Sequence, residues 1–425
     1  MPLASPVSGR GTPAWLIRLV VVTVLVGVGA GVGGGAVALA LHALQHLAFG
    51  YSEGTFLDGL QESPPADRVV ALAVAGVIGA VGWWLLRGWG RRRADHAVVA
   101  VQAAVDGQRM PVLVTLANAA LQVVIVGLGA SIGREVAPRE IGALWASWLS
   151  ERAGVTARER RILVACGAGA GLAAVYSVPF GGAVFALEIL LAEISFATVL
   201  PAFAVSGVAA LVASSVVPAN PLYTVQQVPL SPQLVVWALL AGPLLGVAAV
   251  GFVRLASFAQ ARRPRSWGIL IAMPLTFAAV GVVSLGMPAI LGNGHALGQL
   301  ALSATVPVLL LLAITLVKTV ATVGTIGAGA AGGTLTPSLA IGAGLGLGLG
   351  SVWDALWPGV PLAGFALIGA AAFLAATMRA PVTALLLVME FTHQGPQLLT
   401  PVMLCVAGAV AVGYVWERRR VTGVA

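Results

Sequence analysis

Gly129-Ala-Ser-Ile-Gly-Arg-Glu-Val-Ala-Pro-Arg-Glu-Ile-Gly-Ala143 sets a carboxylate, Glu135, in a short gap between two apolar segments. Residues 110–129 before it carry no charge, and the chain is apolar again through Leu149. An acidic side chain at such a break is costly inside a bilayer, so it points to function. The competing account puts Glu135 at the membrane surface, neutralised by Arg134 or Arg139.

Composition favours the bilayer. Of 425 residues, 59% are hydrophobic and 9% charged, against about 25% charged in a soluble domain. The chain reads as an all-α polytopic membrane protein, because its apolar runs are long and unbroken rather than alternating as in barrel strands. The 54 glycines suit close helix packing and interrupted helices. Cys166 and Cys405 lie in apolar runs and read as small buried side chains. His42 and His46, four apart without a nearby acid, read as packing rather than metal ligands. The net charge of +8 does not imply nucleic acid. Its arginines cluster beside apolar runs, at 87–93, 158–161, 262–265 and 418–420, as in cytoplasmic loops. The acidic stretch 51–67 then lies outside, and both termini are cytoplasmic. The apolar run 19–41 is too long for a signal-peptide core.

The chain divides into a disordered cytoplasmic tail (1–14), a first membrane half (15–217), a Pro-marked linker (218–232) and a second membrane half (233–425). The last span ends near residue 415, so no soluble C-terminal domain is expected. The halves resemble each other. Gly167, Leu172, Ala173, Ala174, Pro179 and Glu188 recur as Gly369, Leu374, Ala375, Ala376, Pro381 and Glu390, all at an offset of 202. Gly133-Arg-Glu-Val-Ala-Pro138 recurs as Gly332-Gly-Thr-Leu-Thr-Pro337 at an offset of 199. Repeats of this kind point to a transporter with its site where they meet. Both repeated motifs are Gly-containing loops ending in Pro, which suits a first helical turn. The turn at 107–111 is a third such start. Helix N-termini aimed inward favour an anion.

These motifs, in order and at compatible spacing over residues 15–415, resemble the CLC family of chloride channels and anion/proton antiporters. Residues 133–138 resemble its G-[KR]-E-G-P signature, residues 332–337 its G-x-F-x-P signature, and residues 167–188 the segment between. The resemblance implies a CLC-type inverted repeat of tilted and broken helices, a homodimer and one anion pathway per subunit. It makes Glu135 the gating, proton-carrying group and needs neither cofactor nor metal. Anion-binding positions carried over are Gly107, Gln108, Arg109, Met110, Gly133, Arg134, Val136, Thr334, Leu335 and Thr336. Departures exist. The family's G-S-G-I-P loop is read as 107–111, with Gln108 or Met110 near the place of its serine. Val136 replaces a glycine, Ala137 is inserted before Pro138, and Leu335 replaces the phenylalanine. The inner proton glutamate falls on Ile189, with Glu188 just before it. The pore tyrosine has no secure match, and Tyr414 is a poor candidate.

These losses resemble the bacterial fluoride-exporting subgroup. They imply fluoride/proton antiport across the inner membrane and resistance to fluoride, with Gln108, Thr334 and Thr336 as extra donors. The alternative for the threonines is helix capping. Chloride/proton antiport and passive anion flow in the same fold stay open. A rival of another class is an intramembrane serine hydrolase, since Gly129-Ala-Ser-Ile-Gly133 fits G-x-S-x-G; that elbow needs a strand before it and a base beside it. Glu188 is a proton relay or structural. Glu140 sits near Arg134 and Arg139 and helps fix the motif. Lys318 snorkels or offsets Glu390.

Overall fold

Long apolar runs broken by Gly and Pro give helices of two lengths. The computed structural model describes residues 13–51, 55–92, 97–218 and 220–421. The first half holds α1 (Pro13–Phe49), α2 (Phe56–Glu62), α3 (Pro65–Arg92), α4 (Val101–Val105), α5 (Val112–Gly127), α6 (Val136–Ala153), α7 (Ala157–Tyr176), α8 (Pro179–Phe185, continued by a π-helical turn Ala186–Leu191) and α9 (Phe196–Ala213). The second holds α10 (Pro232–Arg262), α11 (Ile269–Val283), α12 (His295–Ser303), α13 (Val308–Gly327), α14 (Leu335–Leu356), α15 (Leu362–Met378), α16 (Pro381–Thr392) and α17 (Leu399–Val421). Among the described residues, seven helices are long and apolar enough to cross a membrane. Others, such as α5 with 16 residues, reach only about 24 Å at 1.5 Å per residue and end inside the protein. Residues 1–12 of the expected tail lie outside the described residues, and α1 already begins at Pro13.

The centre of each half is a Gly/Ala-rich helix buried on every side, α7 in the first and α15 in the second. Small residues let backbones touch there. A Cβ on Gly142 of α6 would strike the Gly167 carbonyl of α7. The equivalent crossing in the second half sets Gly342 of α14 against Gly369 of α15, where a Cβ would lie 2.7 Å from the carbonyl oxygen.

Each central helix stops in the same way. Ser177 (φ 54°) and Arg379 (φ 56°) take the left-handed conformation, a break that then lets Pro179 and Pro381 start α8 and α16. A left-handed non-glycine residue costs about 1–2 kcal/mol, so both halves hold a strained break at the corresponding place. The free N–H groups that follow are satisfied across the repeat. Glu188 accepts from Val382 N (3.1 Å), Thr383 N (2.7 Å) and Thr383 Oγ1 (2.6 Å) at the start of α16. Glu390 accepts from Phe180 N (3.0 Å) and Gly181 N (2.6 Å) at the start of α8. Residues 214–218 and 220–231 carry no α-helix, and Tyr223 N donates to the Phe391 carbonyl of the second half (2.9 Å).

Candidate functional site

The two repeated Gly–Pro motifs meet. Gly133 and Gly333 exchange backbone hydrogen bonds (2.8 and 3.0 Å), an isolated antiparallel bridge between the loops that lead into α6 and α14. This pins two helix N-termini, each with unpaired N–H groups, on either side of one gap. Glu135 is the first residue before α6 and is 1% exposed. Its carboxylate crosses the gap, accepting from Leu335 N (2.6 Å) and Thr336 Oγ1 (3.3 Å) at the start of α14. A Cβ on Gly133 or Gly333 would strike this carboxylate, so both glycines make room for it.

The surface account of Glu135 therefore fails. Among the described residues neither neighbouring arginine forms an ion pair with the carboxylate. Arg139 donates from Nε to the Glu135 backbone carbonyl (3.0 Å) and stacks over Phe185. Arg134 lies over the Tyr176 ring, 4.7 Å from its centre. Thr334 does not cap α14 with its side chain, and Thr336 turns to Glu135 instead of to its own helix.

A cavity of about 890 Å³ opens on this gap. Val136, Gly332, Gly333 and Thr334 line one end of it, with Arg87, Arg139, Arg263 and Arg265 elsewhere on the wall. The non-helical stretch before α4 also reaches it, through Ala97, Val98 and Ala100. Gly107, Gln108, Arg109 and Met110 do not. The Gln108 carbonyl takes a hydrogen bond from Arg160 (3.4 Å), and that guanidinium also holds Ser147 (2.8 Å). Arg109, 85% exposed, faces Glu151 at 3.8 Å. Ser147 and Glu151 lie on the last turns of α6, and α5 separates Pro111 from the gap by about 24 Å of helix. The expected anion loop is thus corrected. The 107–111 turn serves the far end of α6, and 97–100 occupies the place assigned to it.

Three further residues find their places. Ser131 follows a helix, as the apolar run before it implies, and its hydroxyl pairs with Thr322 Oγ1 (3.2 Å), so the rival hydrolase elbow is not formed. Lys318 neither snorkels nor offsets Glu390. It is fully buried in α13 and donates to the Ile290 and Gly292 carbonyls (2.9 and 2.6 Å). Glu140 sits within electrostatic reach of Arg139, as expected, but its hydrogen bonds go elsewhere. It accepts from Asn118 Nδ2 at both oxygens (2.9 Å each) and from Gln122 Nε2 (3.1 Å). The sequence reading missed Asn118 and Gln122, although two carboxamides four apart on one face of an apolar helix are a signal.

Two repeats that present facing helix N-termini to one gap, with a carboxylate from one seated on the other, form the core of a membrane anion-transport protein. Residues 75–414 match the family described as "Voltage gated chloride channel", and the chain belongs to that family, the CLC channels and transporters. A putative chloride channel protein, ClcB-like, from Ralstonia nicotianae is 31% identical over 313 residues, covering 70% of this chain and 71% of that one. The voltage-gated ClC-type chloride channel ClcB of Escherichia coli is 28% identical over 385 residues, covering 87% and 90%. Among solved structures, a slow cyanobacterial Cl−/H+ antiporter superposes with a TM-score of 0.80 at 22% identity, covering 94% of this chain and 95% of that one. A CLC-type fluoride/proton antiporter gives 0.76 at 19%, covering 96% and 98%. These structures establish the fold, an inverted repeat of tilted and broken helices.

Proposed function

We propose that this chain exchanges chloride for protons, with Glu135 as the gate and the proton carrier. The observation that carries this is the 2.6 Å bond from Leu335 N to the Glu135 carboxylate. An anion needs the same N–H groups. The ionised carboxylate competes with it, and protonation gives the donors up, so proton and anion occupancy are linked at one place. Gly133, Val136, Gly333, Leu335 and Thr336 are the groups that would hold the anion. The arginine-lined cavity faces the cytoplasm on the positive-inside rule, with both termini on that side.

Chloride is preferred because ClcB relatives carry that name, and because fluoride selectivity leaned on Gln108 and Met110, which lie at the far end of α6. Fluoride export remains a second reading on one observation: the Thr336 hydroxyl adds a donor at the gap, and a small, strongly hydrated anion needs close donors. A homodimer is part of the proposal. Glu188 and Glu390 each bind one N–H group of a half-exposed residue, Val382 and Phe180 respectively, and a second copy over these helix starts would keep the carboxylates from hydrocarbon.

The test is purified protein in liposomes, with chloride, fluoride and pH electrodes. Chloride efflux that drives protons uphill, abolished in Glu135→Gln, is the expected result. Anion efflux that leaves a proton gradient unmoved makes the protein a channel, and fluoride outrunning chloride reinstates the fluoride exporter.

A further inference from the structure

An antiporter needs a proton route from the cytoplasmic cavity to Glu135. The helix position where the resemblance expects a second acid holds Ile189, and the neighbouring Glu188 is committed: both its oxygens are bound at the start of α16. Neither residue lines the cavity. Glu140 does, and it is the one carboxylate among the described residues on that wall. It stands on the same helix as the gate, five residues on, about 7.5 Å along the axis at 1.5 Å per residue. It is 4% exposed, with no ion pair among the described residues.

We propose that Glu140 carries the proton between the cavity and Glu135. This rests on the antiport reading given above. Its surroundings are built to hold a carboxyl group in either protonation state. Trp83 Nε1 donates to Asn118 Oδ1 (2.9 Å), which fixes that amide so its NH2 always faces Glu140. Gln122 is not fixed. Its Nε2 donates to Glu140 (3.1 Å), while its Oε1 is buried and has no partner. An unpaired buried acceptor is costly, about 1–3 kcal/mol. A flip of the Gln122 amide turns that oxygen to Glu140, where it accepts from the protonated carboxyl. The ionised form therefore takes N–H groups from both amides, and the neutral form gives its O–H to Gln122. A purely structural carboxylate would need only the donors. In the transfer one proton enters Glu140 from cavity water and leaves, relayed by water of the same cavity, to a Glu135 oxygen, without change of electrons. Arg139 exerts a Coulombic pull on both carboxylates, but its Nε donates to the Glu135 backbone, its guanidinium lies over Phe185, and it forms an ion pair with neither among the described residues.

The experiment is paired chloride and proton flux in liposomes for wild type, Glu140→Gln, Glu140→Asp and Gln122→Met. In Glu140→Gln, proton movement per chloride is expected to fall at least tenfold while chloride still crosses. Glu140→Asp should restore part of the coupling, and Gln122→Met should lower the proton-to-chloride ratio with Glu140 intact. A coupled wild type with Glu140→Gln at the wild-type ratio overturns this proposal and leaves the antiport reading standing. A wild type that moves no protons overturns both. If Glu140→Gln cannot be recovered folded, a wild-type ratio in Gln122→Met overturns the proposal in its place.

Discussion

Removing the gate carboxylate should tighten anion binding by an amount the geometry sets. The Leu335 N bond to Glu135 is charge-assisted and short, 2.6 Å, of a kind worth about 1.5–3 kcal/mol, against about 0.5–1.5 for a neutral one. The Thr336 contact at 3.3 Å adds little. In Glu135→Gln the side-chain oxygen still meets Leu335 N as a neutral acceptor, so the competing term drops by about 1–1.5 kcal/mol. In Glu135→Ala the whole term goes. At 1.4 kcal/mol per factor of ten, chloride affinity should rise about five- to tenfold in Glu135→Gln and about ten- to a hundredfold in Glu135→Ala. Titration calorimetry of detergent-solubilised protein at neutral pH measures this. Acid should bring the wild type toward Glu135→Gln, because protonation removes the same competitor, while the variant stays flat. A Glu135→Ala protein that binds chloride no tighter than wild type would refute competition for shared donors.

Gly333→Ala places a methyl group on the carboxylate's position, which an anion on the same N–H groups would share, so it should lower chloride affinity and lose proton coupling, the opposite of Glu135→Ala in the calorimetry and the same in the flux assay. Gln108→Ala, at an exposed turn on the far end of α6, should change chloride flux by no more than about twofold, the scale of a surface substitution; a larger loss would return the turn to the anion path. Glu188→Gln and Glu390→Gln each weaken the start of a partner helix by about 1–3 kcal/mol, so denaturation midpoints should fall while the chloride-to-proton ratio holds. Outside the membrane, hydrogen bonds from the Thr55 side chain and backbone hold the Asp58 carboxyl below the usual range. A depressed folded-state value means the contribution is present above the unfolded value of about 3.9 and is lost as pH falls through the folded one; amide exchange of α2, corrected for intrinsic rates, should quicken in strong acid, and Asp58→Asn should abolish that dependence.

What was legible in the sequence is what repeats. Glu135, the Gly133 and Gly333 loops and the Pro179 and Pro381 helix starts stand out because the same small set of residues returns at nearly one spacing, and packing two copies against each other leaves few other arrangements. Contacts made by single positions were not legible. Residues 97–100 look like part of a short helix, and only the tertiary fold shows them turned into the cavity. Gly107 to Pro111 has the local chemistry of a helix start and was matched on that ground, but α5 carries it away from the gap. Lys318 bonds backbone carbonyls of a loop, which leave no residue-type signature. The π-turn carrying Glu188 is a matter of one shifted backbone bond that composition does not encode.

Three carboxylates cross from one repeat to a helix start of the other, and their holds differ in a way that sorts their roles. Glu188 accepts from two backbone N–H groups and a hydroxyl at 2.6–3.1 Å, and Glu390 from two backbone N–H groups at 2.6 and 3.0 Å. Glu135 has one backbone N–H at 2.6 Å and a hydroxyl at 3.3 Å. With each charge-assisted bond worth about 1.5–3 kcal/mol and the 3.3 Å contact adding little, the third is the most weakly held. The loosest of the three is also the one flanked by two glycines and closest to the arginine-lined cavity. A group that must leave its helix start each time an anion arrives has to be held this weakly, and groups that keep the repeats together have to be held harder. On the proposed mechanism one device, a carboxylate on a foreign helix N-terminus, serves as fastening twice and as gate once, and the number of backbone N–H donors, two against one, decides which.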